Sequence, residues 1–137
     1  MTPSEIVSAI VDRINAHDVD GVCALMEENG AFIDGLGLSV TGREAMRKAW
    51  QSYFAMVPDY WIRVERQLQL GTVVAVFGKA GGTFTADGRL DVANRWEVPA
   101  AWQAVVGDEG IAIWQVFADN EPVRQIMNRV AKNAAAT

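Results

Sequence analysis

The sequence predicts an α+β domain in which helices pack on one face of a curved antiparallel or mixed sheet, and three observations predict it. Apolar residues recur at helical spacing along the first 57 residues, the chain after Pro58 reads as a meander of long bent strands, and a short amphipathic stretch after Asn120 closes it. At 137 residues the chain is expected to form one domain, residues 1–137, with no repeat or linker inside it.

Each element has a local reason. Thr2-Pro3-Ser4-Glu5 offers an N-cap threonine, a proline at the first helical position and a glutamate at the third, so a helix starts there. Ile6, Val7, Ile10, Val11 and Ile14 form one stripe along it, and it ends near Asn15-Ala16-His17-Asp18. Asp18 is placed to cap a shorter helix carrying Val22, Leu25 and Met26. Ala31–Asp34 reads as a strand ended by Gly35 and Gly37. Thr41-Gly42-Arg43-Glu44 reads as a second capping box, followed by a helix with Ala45, Met46, Ala49, Trp50, Tyr53, Phe54 and Val57 on one face, which Pro58 stops. Tyr60–Leu70 and Thr72–Thr85 are strands joined at Gly71, and Asp87-Gly88 signals a hairpin into a longer strand, Leu90–Val106. Pro99 within that strand demands an edge, a bulge or a bend, because proline brings no N–H to the ladder. Gly107-Asp108-Glu109-Gly110 turns the chain into Ile111–Asp119, and Asn120-Glu121-Pro122 opens a last helix with Val123, Ile126, Met127 and Val130 on one side. Ala134–Thr137 is expected to fray.

Composition excludes several classes of function. Lys and Arg number 12 against 17 Asp and Glu, and no stretch gathers the basic residues into a stripe that could follow a phosphate backbone, so nucleic acid is not an expected partner. The apolar runs are too short to span a bilayer and no leader pattern opens the chain, so a soluble, cytoplasmic protein is expected, with no membrane partner. Cys23 is the one cysteine and His17 the one histidine, which rules out an intrachain disulfide and a histidine-based metal site. Gly35-Leu36-Gly37 has the wrong spacing for a dinucleotide fingerprint, and Gly78-Lys79-Ala80-Gly81-Gly82 lacks the ending of a phosphate loop. No cofactor is implied.

The helix ending in Asn15-Ala16-His17-Asp18, the strand Ala31–Asp34, the helix start Gly42-Arg43-Glu44-Ala45, Pro58-Asp59-Tyr60, and Trp114–Asp119 running into Asn120-Glu121-Pro122-Val123-Arg124 carry a family resemblance. In that order, over nearly the whole chain, they resemble a SnoaL-like protein of the NTF2-like (ketosteroid isomerase-like) superfamily. The resemblance implies a cone-shaped α+β fold, a curved sheet wrapped around the N-terminal helices, a deep apolar pocket, and a homodimer paired through the convex sheet face.

The resemblance also offers two candidate catalytic acids. Asp34 falls at or beside the proton-shuttling aspartate of the isomerases, and Asp119 matches the last-strand aspartate of related hydrolases and cyclases. Each has a structural alternative: Asp34 as a turn-former before Gly35, Asp119 as an Asx-turn or cap into the final helix. The isomerases' two oxyanion donors align with Ile10 and Ala101, which donate nothing, and one lost donor typically costs about 2.7–4 kcal/mol. The arginine–aspartate pair of the hydrolases aligns near Phe77 and Lys79. Arg89-Leu90-Asp91 spells that pattern but reads as a solvated strand start.

Candidate pocket residues are His17, Trp50, Tyr53, Phe54, Trp61, Trp102 and Phe117, with Trp96 as a further tryptophan that either lines the pocket or packs at an interface. His17 also reads as a helix-ending residue. Strand alternation puts Gln115, Phe117 and Asp119 on one face and Trp114, Val116 and Ala118 on the other; if Asp119 points inward, the latter three face a dimer partner. Two functions follow: a small cofactor-independent enzyme using aspartate for isomerisation, dehydration or cyclisation of a hydrophobic small molecule, or a non-catalytic ligand-binding or dimerisation module.

Overall fold

The computed structural model describes residues 1–136. Four helices, α1 (Pro3–Asn15), α2 (Val19–Ala24), α3 (Arg43–Met56) and α4 (Glu121–Ala135), accompany six strands: β1 (Met26–Ile33), β2 (Ser39–Thr41), β3 (Trp61–Leu70), β4 (Val73–Thr83), β5 (Arg95–Gly107) and β6 (Gly110–Ala118). The strands make one sheet in the order β2-β1-β6-β5-β4-β3. Only β1 and β6 run parallel; the other neighbours are antiparallel.

The capping box at α1 forms. Glu5 N–H donates to Thr2 Oγ1 and Thr2 N–H to a Glu5 carboxylate oxygen, both at 3.1 Å, which holds the Glu5 carboxyl below its ordinary value. The stripe Val7, Ile10, Val11 and Ile14 is buried in one apolar cluster with Val74, Val76, Ala104 and Ile111, so α1 fills one end of the concave sheet. Asn15 ties its last turn to the sheet: its amide donates to Ile62 O (2.9 Å) and accepts from Ile62 N (2.7 Å), as a neighbouring strand would. Asp18 caps α2 through Gly21 N–H at 2.9 Å.

Several boundaries differ from the sequence reading. Met26 opens β1 instead of closing the second helix, and its buried side chain joins the core. Thr41 is held in β2 by pairing with Ala31, so Gly42, at φ +93°, becomes the N-cap of α3 with no side-chain hydrogen bond, and no capping box forms there. The link from β4 to β5 is longer than a two-residue hairpin because Asp91 caps a 3-10 turn over Val92–Asn94 and delays β5 to Arg95. Pro99 sits in an interior strand, one residue before the first β5–β6 pair, Ala100–Ala118, where β5 has no neighbour on that side. Helix α4 persists through Ala135, and Thr137 lies outside the described residues. In β3, Glu65 is an extra residue between the pairs Val64–Gly78 and Arg66–Phe77, a bulge that bends the sheet edge.

Candidate functional site

The ends of β1 and β6 and the start of β5 lie together, and there the concave face is not filled by α1. A cavity of about 480 Å³ opens between the sheet, α3 and α4. Its room follows from residue size. On the floor, Ala100 pairs directly with Ala118, and Ala80 lies one strand further on, while the walls are large: Phe32, Trp50, Trp102 and Trp114. Strand alternation presents Trp96, Val98, Ala100 and Trp102 from β5 and Trp114, Val116 and Ala118 from β6. Helix α3 presents Ala49, Trp50, Tyr53 and Met56 at helical spacing.

The rings form a continuous row. Phe32 and Trp50 have centroids 5.2 Å apart, Trp50 meets Tyr53 edge-on at 6.4 Å, Tyr53 meets Tyr60 edge-on at 4.9 Å, and Tyr60 tilts against Trp96 at 6.2 Å. Burial pushes both phenols up, and Tyr53 beside Tyr60 raises the latter further, so both stay protonated well beyond neutral pH.

Polar groups border the cavity beside Asp34. Its N–H donates to Leu38 O, and its Oδ1 accepts from Leu36 N (2.9 Å) and Leu38 N (3.0 Å). Oδ2 has no hydrogen-bond partner among the described residues, so one oxygen holds the loop and the other is left without a protein partner. The Asn120 amide lies against Gly35, where a Cβ would be 2.7 Å from its Nδ2. Arg124 follows one turn later, its guanidinium on Glu121 at 2.9 Å. Helix α4 covers this side with Val123 and Met127, and Arg129 fastens it to the 3-10 turn through Ala93 O (2.8 Å) and Asn94 Oδ1 (2.9 Å).

The SnoaL-like domain model matches residues 7–125. The chain belongs to the SnoaL-like family. Solved structures with the same architecture include a ketosteroid isomerase-like protein from Catenulispora acidiphila in complex with trimethylamine, 22% identical, TM-score 0.76, covering 90% of this chain and 91% of that one. A protein from Jannaschia sp. CCS1 assigned as a SnoaL-like polyketide cyclase is 19% identical, TM-score 0.78, covering 90% of each chain. IdmH of Streptomyces antibioticus, assigned as a polyketide cyclase, is 21% identical, TM-score 0.75, covering 93% and 99%. These likenesses establish the ketosteroid isomerase-like, NTF2-like fold. No curated protein is similar enough in sequence to match the chain.

In this SnoaL-like chain Asp34, Trp50, Tyr53 and Trp102 stand on the cavity wall. Asp119 does not. Its exposed carboxylate accepts Glu121 N–H at 3.0 Å, the Asx-turn alternative, because the parity of β6 sends Trp114, Val116 and Ala118 inward. Phe117 shares that outer parity and is 51% exposed, so it too leaves the pocket set. His17 is off the wall: at φ +54° it ends α1, stacks on Phe54 at 4.1 Å, and lies 2.7 Å from Tyr60 O through Nε2. A carbonyl only accepts, so Nε2 carries the proton. Phe54 is turned into this stack and lies behind the cavity wall. Trp61 faces away from Ile62, covers Gly81, carries Arg63 over its ring at 5.6 Å, and borders a separate surface hollow with Val92, Arg95 and Glu97. Lys79 lies on the outer face opposite Pro99, and Asp91 is the cap of the 3-10 turn.

Sequence reasoning missed Tyr60, Asn120 and Arg124 as cavity residues. No local signal marked them: Tyr60 is oriented by contacts distant in sequence, and Asn120 and Arg124 reach the cavity through the turn from β6 into α4.

Proposed function

We propose that the chain binds a flat, largely apolar small molecule in this cavity and acts on it by cofactor-independent proton transfer of the isomerase, dehydratase or cyclase kind, with Asp34 as the acid–base group. The observation that carries this reading is an aromatic-walled cavity with a carboxylate on its wall, one oxygen anchored and one free. The cyclase assignments of the Jannaschia protein and IdmH support it. Asp34→Asn tests it, because an amide oxygen still accepts from Leu36 and Leu38 and keeps the loop. With enolisable aryl polyketones as substrates, turnover is expected to fall about 10²-fold with ligand affinity within twofold.

A binding module without chemistry is favoured by the commitment of Asp34 Oδ1 to its own loop and by the outward Asp119. Tight binding with no turnover by wild type, or turnover untouched by Asp34→Asn, would establish that reading instead.

We also infer a homodimer, in the cytoplasm, where the buried Cys23 thiol stays reduced. Phe77, Ala101 and Phe117 lie in one row across the outer sheet face, with the two rings 45% and 51% exposed, and Val73, Val105 and Ile113 form a second apolar row four positions along each strand. A row of this kind on an outer face marks an interface. Sedimentation equilibrium at micromolar concentration is expected to give a dimer for wild type and a monomer for Phe117→Glu; a monomeric wild type would refute the pairing.

A further inference from the structure

Tyr53 and Tyr60 carry hydroxyls that packing does not explain. Every ring contact they make, Tyr53 with Trp50 and Tyr60, and Tyr60 with Phe54 and Trp96, would be made equally by phenylalanine. Neither hydroxyl has a hydrogen-bond partner among the described residues, although both residues line the cavity and Tyr60 is only 7% exposed. Both hydroxyls stay accessible from the cavity, and an occupant that displaced their solvent without offering an acceptor would leave them unpaired in apolar surroundings, which is unfavourable, so the pair marks a place where a ligand supplies the acceptor. A third donor lies beside them: Trp96 Nε1 is buried and has no partner.

The backbone around this end is held firmly. His17 Nε2 bonds Tyr60 O at 2.7 Å, and the Asp59 carboxylate takes both Thr83 N–H and Thr83 Oγ1 at 2.7 Å, so Tyr60 is anchored by its own carbonyl and by its neighbour. Tyr53 is fixed on α3. We propose that Tyr53 and Tyr60 form a donor subsite that recognises a carbonyl or phenolic oxygen on the cavity's occupant. This selects aryl ketones and phenols over hydrocarbons of the same shape. The inference rests on the cavity being a ligand site. Burial keeps both phenols protonated, which makes them donors and not bases.

The test uses the full chain and two flat three-ring compounds that differ at one position, a carbonyl in 9-fluorenone and a methylene in fluorene, titrated by calorimetry. Wild type is expected to bind fluorenone about tenfold more tightly than fluorene. Tyr53→Phe/Tyr60→Phe is expected to abolish that preference while leaving fluorene affinity within twofold, a split that a misfolded or merely loosened cavity would not produce. Equal affinities in wild type, or a preference that survives in the double variant, overturn the subsite while the cavity reading stands. Binding of neither compound overturns both.

Discussion

Gly78→Ala is expected to destabilise the protein by about 3 kcal/mol or more, read as a melting temperature lower by roughly 10 °C or more. Gly78 lies opposite the β3 bulge, where Glu65 is squeezed between the pairs Val64–Gly78 and Arg66–Phe77. A Cβ at Gly78 would overlap the Arg63 carbonyl oxygen and stand 2.9 Å from its carbon and 3.2 Å from Glu65 N. All three are main-chain atoms in a hydrogen-bonded pair of strands, so relief requires moving β3 away from β4. Gly107 is the control. A Cβ there also overlaps an oxygen, but it belongs to the Glu27 side chain, which can swing aside, and Gly107→Ala is expected to cost little. Equal melting temperatures for wild type and Gly78→Ala would show that the bulge is not rigid.

The comparison of Gly78 with Gly107 also shows what a sequence conceals. Gly78-Lys79-Ala80-Gly81-Gly82 is noticeable as a glycine-rich run, yet nothing local says that one member faces a bulge on a strand fourteen residues earlier. Elements set by local chemistry were legible: the Thr2 box, the Asp18 cap, the Pro58 stop and the Gly107–Gly110 turn appear where expected. Elements set by pairing were not. β2 is three residues long, and its pairing with β1 is what converts Thr41 from a helix cap into a strand residue. Met26 fits a helical stripe and a strand equally well, and its placement opposite Ile111 decides.

The candidate site divides the same way. Helix periodicity placed Trp50 and Tyr53 on one face, and that face lines the cavity. Asp119 depended on which face of β6 turns inward, and period-two alternation defines two faces without saying which is inside. Its neighbour Asn120 reaches the cavity because the chain turns there into α4. Tyr60 was beyond local reasoning: its orientation comes from His17, 43 residues away, and from the Asp59–Thr83 clasp.

The two cavity phenols are expected to give the protein a steep alkaline limit. In the unfolded chain a tyrosine ionises near pH 10, whereas burial lifts both Tyr53 and Tyr60 above their ordinary value in the native state. An acid whose native pKa is raised contributes stability that is fully present below the unfolded pKa and is lost as pH climbs toward the native one. Above about pH 10 the unfolded chain therefore holds up to two fewer protons than the native one, and stability falls by as much as about 2.7 kcal/mol per pH unit. Urea unfolding between about pH 9 and 11 measures the slope. Tyr53→Phe/Tyr60→Phe keeps the rings and removes both protons, so its limb is expected to be flatter by that amount, with other titrating groups cancelling in the difference. Tyrosinate absorbance is expected to rise with unfolding and not before it. Parallel slopes for wild type and the double variant would mean that the phenols ionise in place and that burial does not hold them as the protonated donors on which selective binding of an oxygen-bearing ligand depends.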